Sequence, residues 1–178
     1  MKKNIRLYNM ILPPYLLMVF VPWLAALCLI GNFIIDSIVL LIISLIVFKK
    51  VNGEFYKKNI LKVWLFGFAG DFVGILFLFI GSNIGYFYIN SHSNENGLFF
   101  QIMEGLNNVT NHAYAVNTYS YVFIAIAIFV AAIAIFLFDY FIAFRKTKLT
   151  KKQKFLSSLA FAVFTAPYTF LIPNSVFY

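Results

Sequence analysis

Between Ile11 and Phe48 the chain runs for 38 residues with a single charged side chain, Asp36. Drawn out as one α-helix, such a run would measure about 57 Å, whereas the hydrocarbon core of a bilayer is about 30 Å thick. Basic residues flank it on both sides, Lys2, Lys3 and Arg6 before it and Lys49 and Lys50 after it. Because Lys and Arg are retained on the cytoplasmic side of a membrane, both ends are expected on that side, so the run has to fold back. Gly31-Asn32 is the natural reversal. This divides the run into a first span near 11–30, bent at Pro22, and a second near 33–48.

The same logic organises the rest. Residues 49–62 carry Lys49, Lys50, Lys57, Lys58 and Lys62 and form a cytoplasmic connection to a third span at 63–82. Residues 83–117 hold Glu95 and Glu104 but no Lys or Arg, which places them outside. Within that loop Leu98, Phe99, Ile102, Met103 and Leu106 follow helical spacing, so a short amphipathic helix lies on the membrane or caps the bundle. A fourth span at 119–144 returns to Arg145, Lys146, Lys148, Lys151, Lys152 and Lys154. The fifth, at 155–173, carries Pro167 and Pro173, which bend it or make it re-entrant. All 14 basic residues then share one side, with the N-terminus cytoplasmic and the C-terminus extracytoplasmic in the cell membrane. Tyr8, Tyr56, Trp64 and Tyr140 would mark the inner interface, and Tyr86, Tyr88, Tyr119 and Tyr121 the outer one. The expected fold is an all-α integral membrane protein, a single domain over 1–178 built as a bundle of about five transmembrane helices with one long extracytoplasmic loop.

Composition agrees, and it excludes several functions. Hydrophobic residues make up 62% of the chain and charged ones 11%, against about 45–50% and about 25% in soluble domains. The formal charge of +8 does not indicate nucleic acid, because every cation sits beside an apolar segment. The lone Cys28 lies inside the first apolar run, and no intrachain disulfide can form. The basic start followed by an apolar run looks like a secretory signal but lacks its small-residue cleavage region, so an uncleaved first span is expected. His92 with Glu95, and Glu104 with His112, are thin candidates for a metal, and Asn108-Val109-Thr110 matches a glycosylation acceptor. No nucleophile elbow, phosphate-binding glycine loop or metalloprotease helix is present. The reading is therefore a non-enzyme with no cofactor and no metal, whose partners are the lipid bilayer and either another membrane protein or a second copy.

The polar residues inside the spans carry what functional signal there is. Insertion of an Asp at a helix centre costs about 2.5–3.5 kcal/mol. The twelve Leu, Ile, Phe and Val residues of Val63–Ile80 offset Asp71 by roughly 5 kcal/mol at about 0.3–0.6 each. The span inserts, but the acid needs a reason. At 100° per residue Gly67, Gly70, Gly74 and Gly81 share one flank with Asp71. Glycines admit a close helix neighbour, so this flank should face the interior. Thr118, Ala125, Ala132 and Asp139 recur every seven residues and form the expected opposing seam. Asn32 and Asp36 make a polar patch near the supposed outer turn. The three acids would then string along a path from Asp36 outside, through Asp71, to Asp139 inside.

These residues support a small transport protein, or the embedded subunit of a transporter, with an acid-lined interior coupled to a cation or a proton. The alternative is a non-catalytic accessory, assembly or immunity-type protein that binds another membrane component. In that case the acids act as helix glue, protonated and hydrogen-bonded to a neighbouring backbone or to Ser44, Ser157, Thr165 or Tyr168. An intramembrane enzyme on lipids would have to use the aspartates as acid and base, and nothing pairs a nucleophile or a metal with them.

Overall fold

The structure is a computed structural model in which residues 22–92, 97–109 and 117–171 are described. Residues 11–21 of the expected first span, Glu95, Thr110, His112 and Pro173 lie outside the described residues, as does the side chain of Cys28. The described chain is all-helical: α1 Pro22–Phe48, α2 Gly53–Ser91, α3 Leu98–Asn108, α4 Thr118–Phe138 and α5 Lys151–Phe164. A π-helical turn, Asp139–Ala143, extends α4, and a 3-10 turn, Tyr168–Leu171, follows α5.

The chain does not reverse at Gly31-Asn32. α1 is continuous from Pro22 to Phe48, so one helix of about 40 Å replaces most of the expected hairpin. A glycine inside a helix costs only about 1 kcal/mol relative to alanine, and a turn in an apolar run would leave backbone groups unpaired. Among the described residues nothing lies within 4 Å of where a methyl at Gly31 would stand, so no neighbour calls for a bend there. The reversal lies instead at Lys49–Asn52, where polar side chains can close it. Lys49 adopts a left-handed φ of 55°. The Asn52 amide donates to Ser44 Oγ at 2.8 Å, and Asn52 Oδ1 caps α2 by accepting from the Phe55 amide at 3.1 Å.

Helix α2 is also longer than expected, overrunning 63–82 in both directions to reach 39 residues, about 58 Å. Its last turns, assigned to the outer loop by charge, stay helical because α3 packs on them. A methyl group at Gly81 would meet Leu106, and one at Gly85 would meet the backbone of Met103 and Asn107. The amphipathic helix appears where the spacing placed it, as α3, and it caps the bundle. Ser120 Oγ donates to the Gly105 carbonyl at 2.9 Å, Asn117 Nδ2 to that of Gln101 at 2.9 Å and Ser82 Oγ to that of Asn107 at 3.2 Å.

Four helical segments, Leu29–Phe48, Gly53–Ser91, Thr118–Ala143 and Lys151–Leu171, are long and apolar enough to cross a membrane. The last is not one straight helix: α5 ends at Phe164, short of Pro167, which has no amide hydrogen for the helix to use. α1, α2, α4 and α5 close a ring in which each packs against the next and α5 packs back on α1. The core at one end of the ring gathers Phe55, Phe144, Leu149 and Phe161 around the two short connections, with Phe55 and Phe144 stacked at 6.3 Å. The eleven described Lys and Arg residues belong to these connections and the turns beside them. The outer surface is apolar, including Ile46, Phe72, Phe87, Phe129 and Phe164.

Candidate functional site: a buried carboxyl layer

The core-facing stripe of α1 is Asp36, Val39, Leu40, Ile43 and Ser44, all buried at three- and four-residue spacing. Asp36 is therefore turned inward by the same periodicity that buries its apolar neighbours, and it is only 3% exposed. It lies against α2 where the missing side chain of Gly67 leaves room: a methyl there would sit 3.7 Å from Asp36 Oδ2. One turn further along α2, Gly70 lies against Ile135 of α4, and the rings of Phe66 and Phe138 pair at 6.0 Å. Asp139 directly follows Phe138, which brings it to the level of Gly67 and Asp36. Asp71, next to Gly70, lies near the midpoint of α2. Asp36 is within electrostatic reach of both Asp71 and Asp139.

Asp36 and Asp139 are thus buried at about one level, and Asp71, partly buried, stands one turn further along α2, so the three acids gather from three helices into one region and the expected axial path is corrected. The path depended on an outer turn at Gly31-Asn32, and with α1 continuous Asp36 lies well inside the ring. Asn32, one turn before Asp36, is partly buried.

Asp139 is fully buried, and its environment depends on the π-helical turn that it opens. The Phe144 amide donates to the Asp139 carbonyl five residues back at 2.9 Å. The extra residue in that turn lets Asp139, Ala143 and Phe144 all face the interior. Both carboxylate oxygens of Asp139 and one of Asp71 are buried without a hydrogen-bond partner among the described residues. Three of the four hydroxyls that would have made them helix glue are engaged elsewhere: Ser44 with Asn52, Thr165 with the Phe161 carbonyl, and Tyr168 with the Val163 carbonyl. Ser157 and Ser158 are buried on α5, and the Ser158 hydroxyl is unpartnered. Asn59 is buried on α2 with its side-chain oxygen unpartnered.

No base among the described residues compensates this layer. Among the described residues the only ion pair joins Lys58 and Glu54 at 2.6 Å, exposed at the start of α2. Lys62, the nearest cation along α2, is exposed and about 13 Å of helix rise from Asp71. Nor is the layer a cage for a bare metal ion, since no three His, Cys, Asp or Glu among the described residues come close enough together to hold one. His92 Nδ1 instead meets the Tyr88 carbonyl at 3.1 Å, and Glu104 accepts a long bond from Asn117 Nδ2 at 3.4 Å.

The glycine flank packs as its phase indicated, but its partner seam is shifted. Gly70 and Gly74 lie against Ile135, Ala131 and Ala127, whereas Ala125 is exposed and Ala132 partly so, both lining a groove towards α5. Ala132 is one residue beyond Ala131 and so 100° around the helix. The seven-residue count followed the wrong small residues. Thr118, the first of that count, opens α4. Gly85, 18 residues from Gly67 and in the same phase, extends the glycine stripe; ending the span at 82 hid it. Comparison with protein-family models, with curated proteins and with solved structures finds no match.

Proposed function

We propose that this chain is a small multi-pass membrane transport protein, or the embedded subunit of a transporter, in which the Asp36–Asp71–Asp139 layer carries a proton or a hydrated monovalent cation. The observation that carries the reading is the approach of three carboxyl groups from three helices, Asp36 and Asp139 buried and Asp71 partly so, with no basic partner among the described residues. A charge left uncompensated in a dry interior costs several kcal/mol. Any carboxylate that ionises there therefore calls for a proton or a cation to balance it, and intramembrane acids of this kind mark ion and proton pathways. In the proposed placement the apolar belt faces lipid and the cation-rich end faces the cytoplasm. α1, α2, α4 and α5 cross the bilayer, and α3 caps the outer end.

Proteoliposomes loaded with a pH-sensitive dye test this reading, with an imposed proton gradient and, separately, with sodium or potassium gradients. Wild-type protein should dissipate one of these gradients, and Asp71→Asn and Asp139→Asn should fall to the level of empty vesicles. Equal flux in wild type and both variants, or none in any, removes the proposal.

A further inference from the structure

A second feature, away from the carboxyl layer, has a chemistry of its own. Between α4 and α5 an outward-opening apolar groove of about 550 Å³ runs along the bundle, within the roughly 300–1,000 Å³ of small-molecule sites. Ala125 and Ala132 keep the α4 side shallow, while Phe129, Phe136, Phe155 and Leu159 stand as its walls. Its two ends differ. At one, Tyr168 spends its hydroxyl on the Val163 carbonyl at 2.6 Å. At the other, Phe136 and Phe155 meet edge to face at 5.3 Å, and Tyr140 stacks on Phe136. Lys154 Nζ lies 5.8 Å from the Tyr140 ring centre. Lys151, one helical turn before Phe155, continues the groove-lining face of α5 as an exposed cation. Arg145, Lys146 and Lys148 crowd the adjoining connection.

An apolar channel that ends in a cluster of cations has the polarity of a phospholipid with a negatively charged headgroup. We propose that the groove binds one such lipid, an acyl chain lying between Phe129 and Phe155 and the headgroup phosphate held by Lys151 and Lys154. Within a bilayer the acyl chain gains little by leaving other chains, since lipid tails are as apolar as the groove. Selectivity therefore comes from the basic end, as it does where cations cluster between helices at a membrane face. The groove supplies fit and residence.

The test is native mass spectrometry of the full chain in mild detergent, titrated with phosphatidylglycerol or phosphatidylcholine of identical chains. Wild type should retain phosphatidylglycerol in preference. Lys151→Gln and Lys154→Gln should each weaken it about fivefold, the equivalent of one surface cation. Ala125→Phe, at an exposed position, and Ala132→Phe should reduce retention of both lipids by filling the groove. Equal retention of the two lipids by wild type, or wild-type retention by both phenylalanine variants, overturns the proposal. So does displacement of the lipid by inorganic phosphate, which would make the headgroup contact independent of the groove. A protein dimer in place of the lipid adduct, lost in Ala125→Phe, would assign the groove to a second copy and overturn it equally.

Discussion

Replacing Gly85 by alanine tests the close backbone contact between α2 and α3. A methyl group at that position would lie 2.6 Å from both the Asn107 amide nitrogen and the Met103 carbonyl oxygen, and 3.1 Å from Asn107 Cα. Ordinary contact begins at 3.4 Å, so α2 and α3 would have to part by about 0.8 Å, with no side chain able to rotate away. Overpacking of this kind costs about 1–3 kcal/mol. Separation would also stretch the Ser82 Oγ to Asn107 carbonyl bond, already 3.2 Å, whose loss adds about 0.5–1.5 kcal/mol. Alanine recovers about 0.5–1 kcal/mol of helix propensity. The balance is a net destabilisation of roughly 1–3 kcal/mol. At roughly 2–4 °C per kcal/mol for a chain of this length, Tm should fall by several degrees. Gly31→Ala is the control of opposite sign: nothing lies within 4 Å of the added methyl, so only the propensity gain of about 0.5–1 kcal/mol remains. Thermal melts of the two variants in one detergent, followed by circular dichroism, give the comparison. If Gly85→Ala melts with or above wild type while Gly31→Ala melts below it, the close approach of α3 to α2 is wrong.

Two further outcomes separate packing from function. In a chain with Cys28 replaced by serine, Gly74→Cys with Ala131→Cys should cross-link on mild oxidation, because the added Cβ atom would lie 3.0 Å from that of Ala131 and bridged cysteines have Cβ atoms about 3.5–4.5 Å apart. Gly74→Cys with Ala125→Cys should not, and the reverse pattern on a non-reducing gel would restore the seven-residue seam. Asp139→Leu should raise thermal stability while abolishing ion flux, since it removes a buried carboxyl whose oxygens lack partners among the described residues and a buried unsatisfied polar group costs about 1–3 kcal/mol. A variant both less stable and fully active would contradict the role assigned to that layer.

How much of this was legible in the sequence varied with the physics behind each feature. The α3 helix was readable because Leu98, Ile102 and Leu106 repeat at helical spacing within polar surroundings. The packing face of α2 was readable because Gly67, Gly70 and Gly74 share one flank; Asp71 sits at its edge, partly buried. The continuity of α1 was not, because Gly31-Asn32 has the composition of a turn, and only the absence of any polar partner for a turn's backbone argues for helix there. The meeting of Asp36 with Asp139 depended on that continuity, and so was hidden with it. The π-helical turn at Asp139 has no composition signal; it leads into Phe144, whose ring packs against Phe55 and Phe161. Ala127 and Ala131 were as visible as Ala125 and Ala132, and choosing between them required knowing where α2 lies.

The two short connections close two helical hairpins, α1–α2 and α4–α5, and each carries its cations at the bend. In the proposed placement this has a consequence for biosynthesis. Each hairpin can enter the bilayer as a unit with its charged bend left behind, so no Lys or Arg of either bend has to be drawn through lipid. The stretch that must be exported between them, residues 83–117, is free of Lys and Arg. From residue 22 to 171 the distribution of charge thus divides the chain into two insertion units and one exported linker, and delivery of the second hairpin brings Asp139 towards the acids already placed by the first.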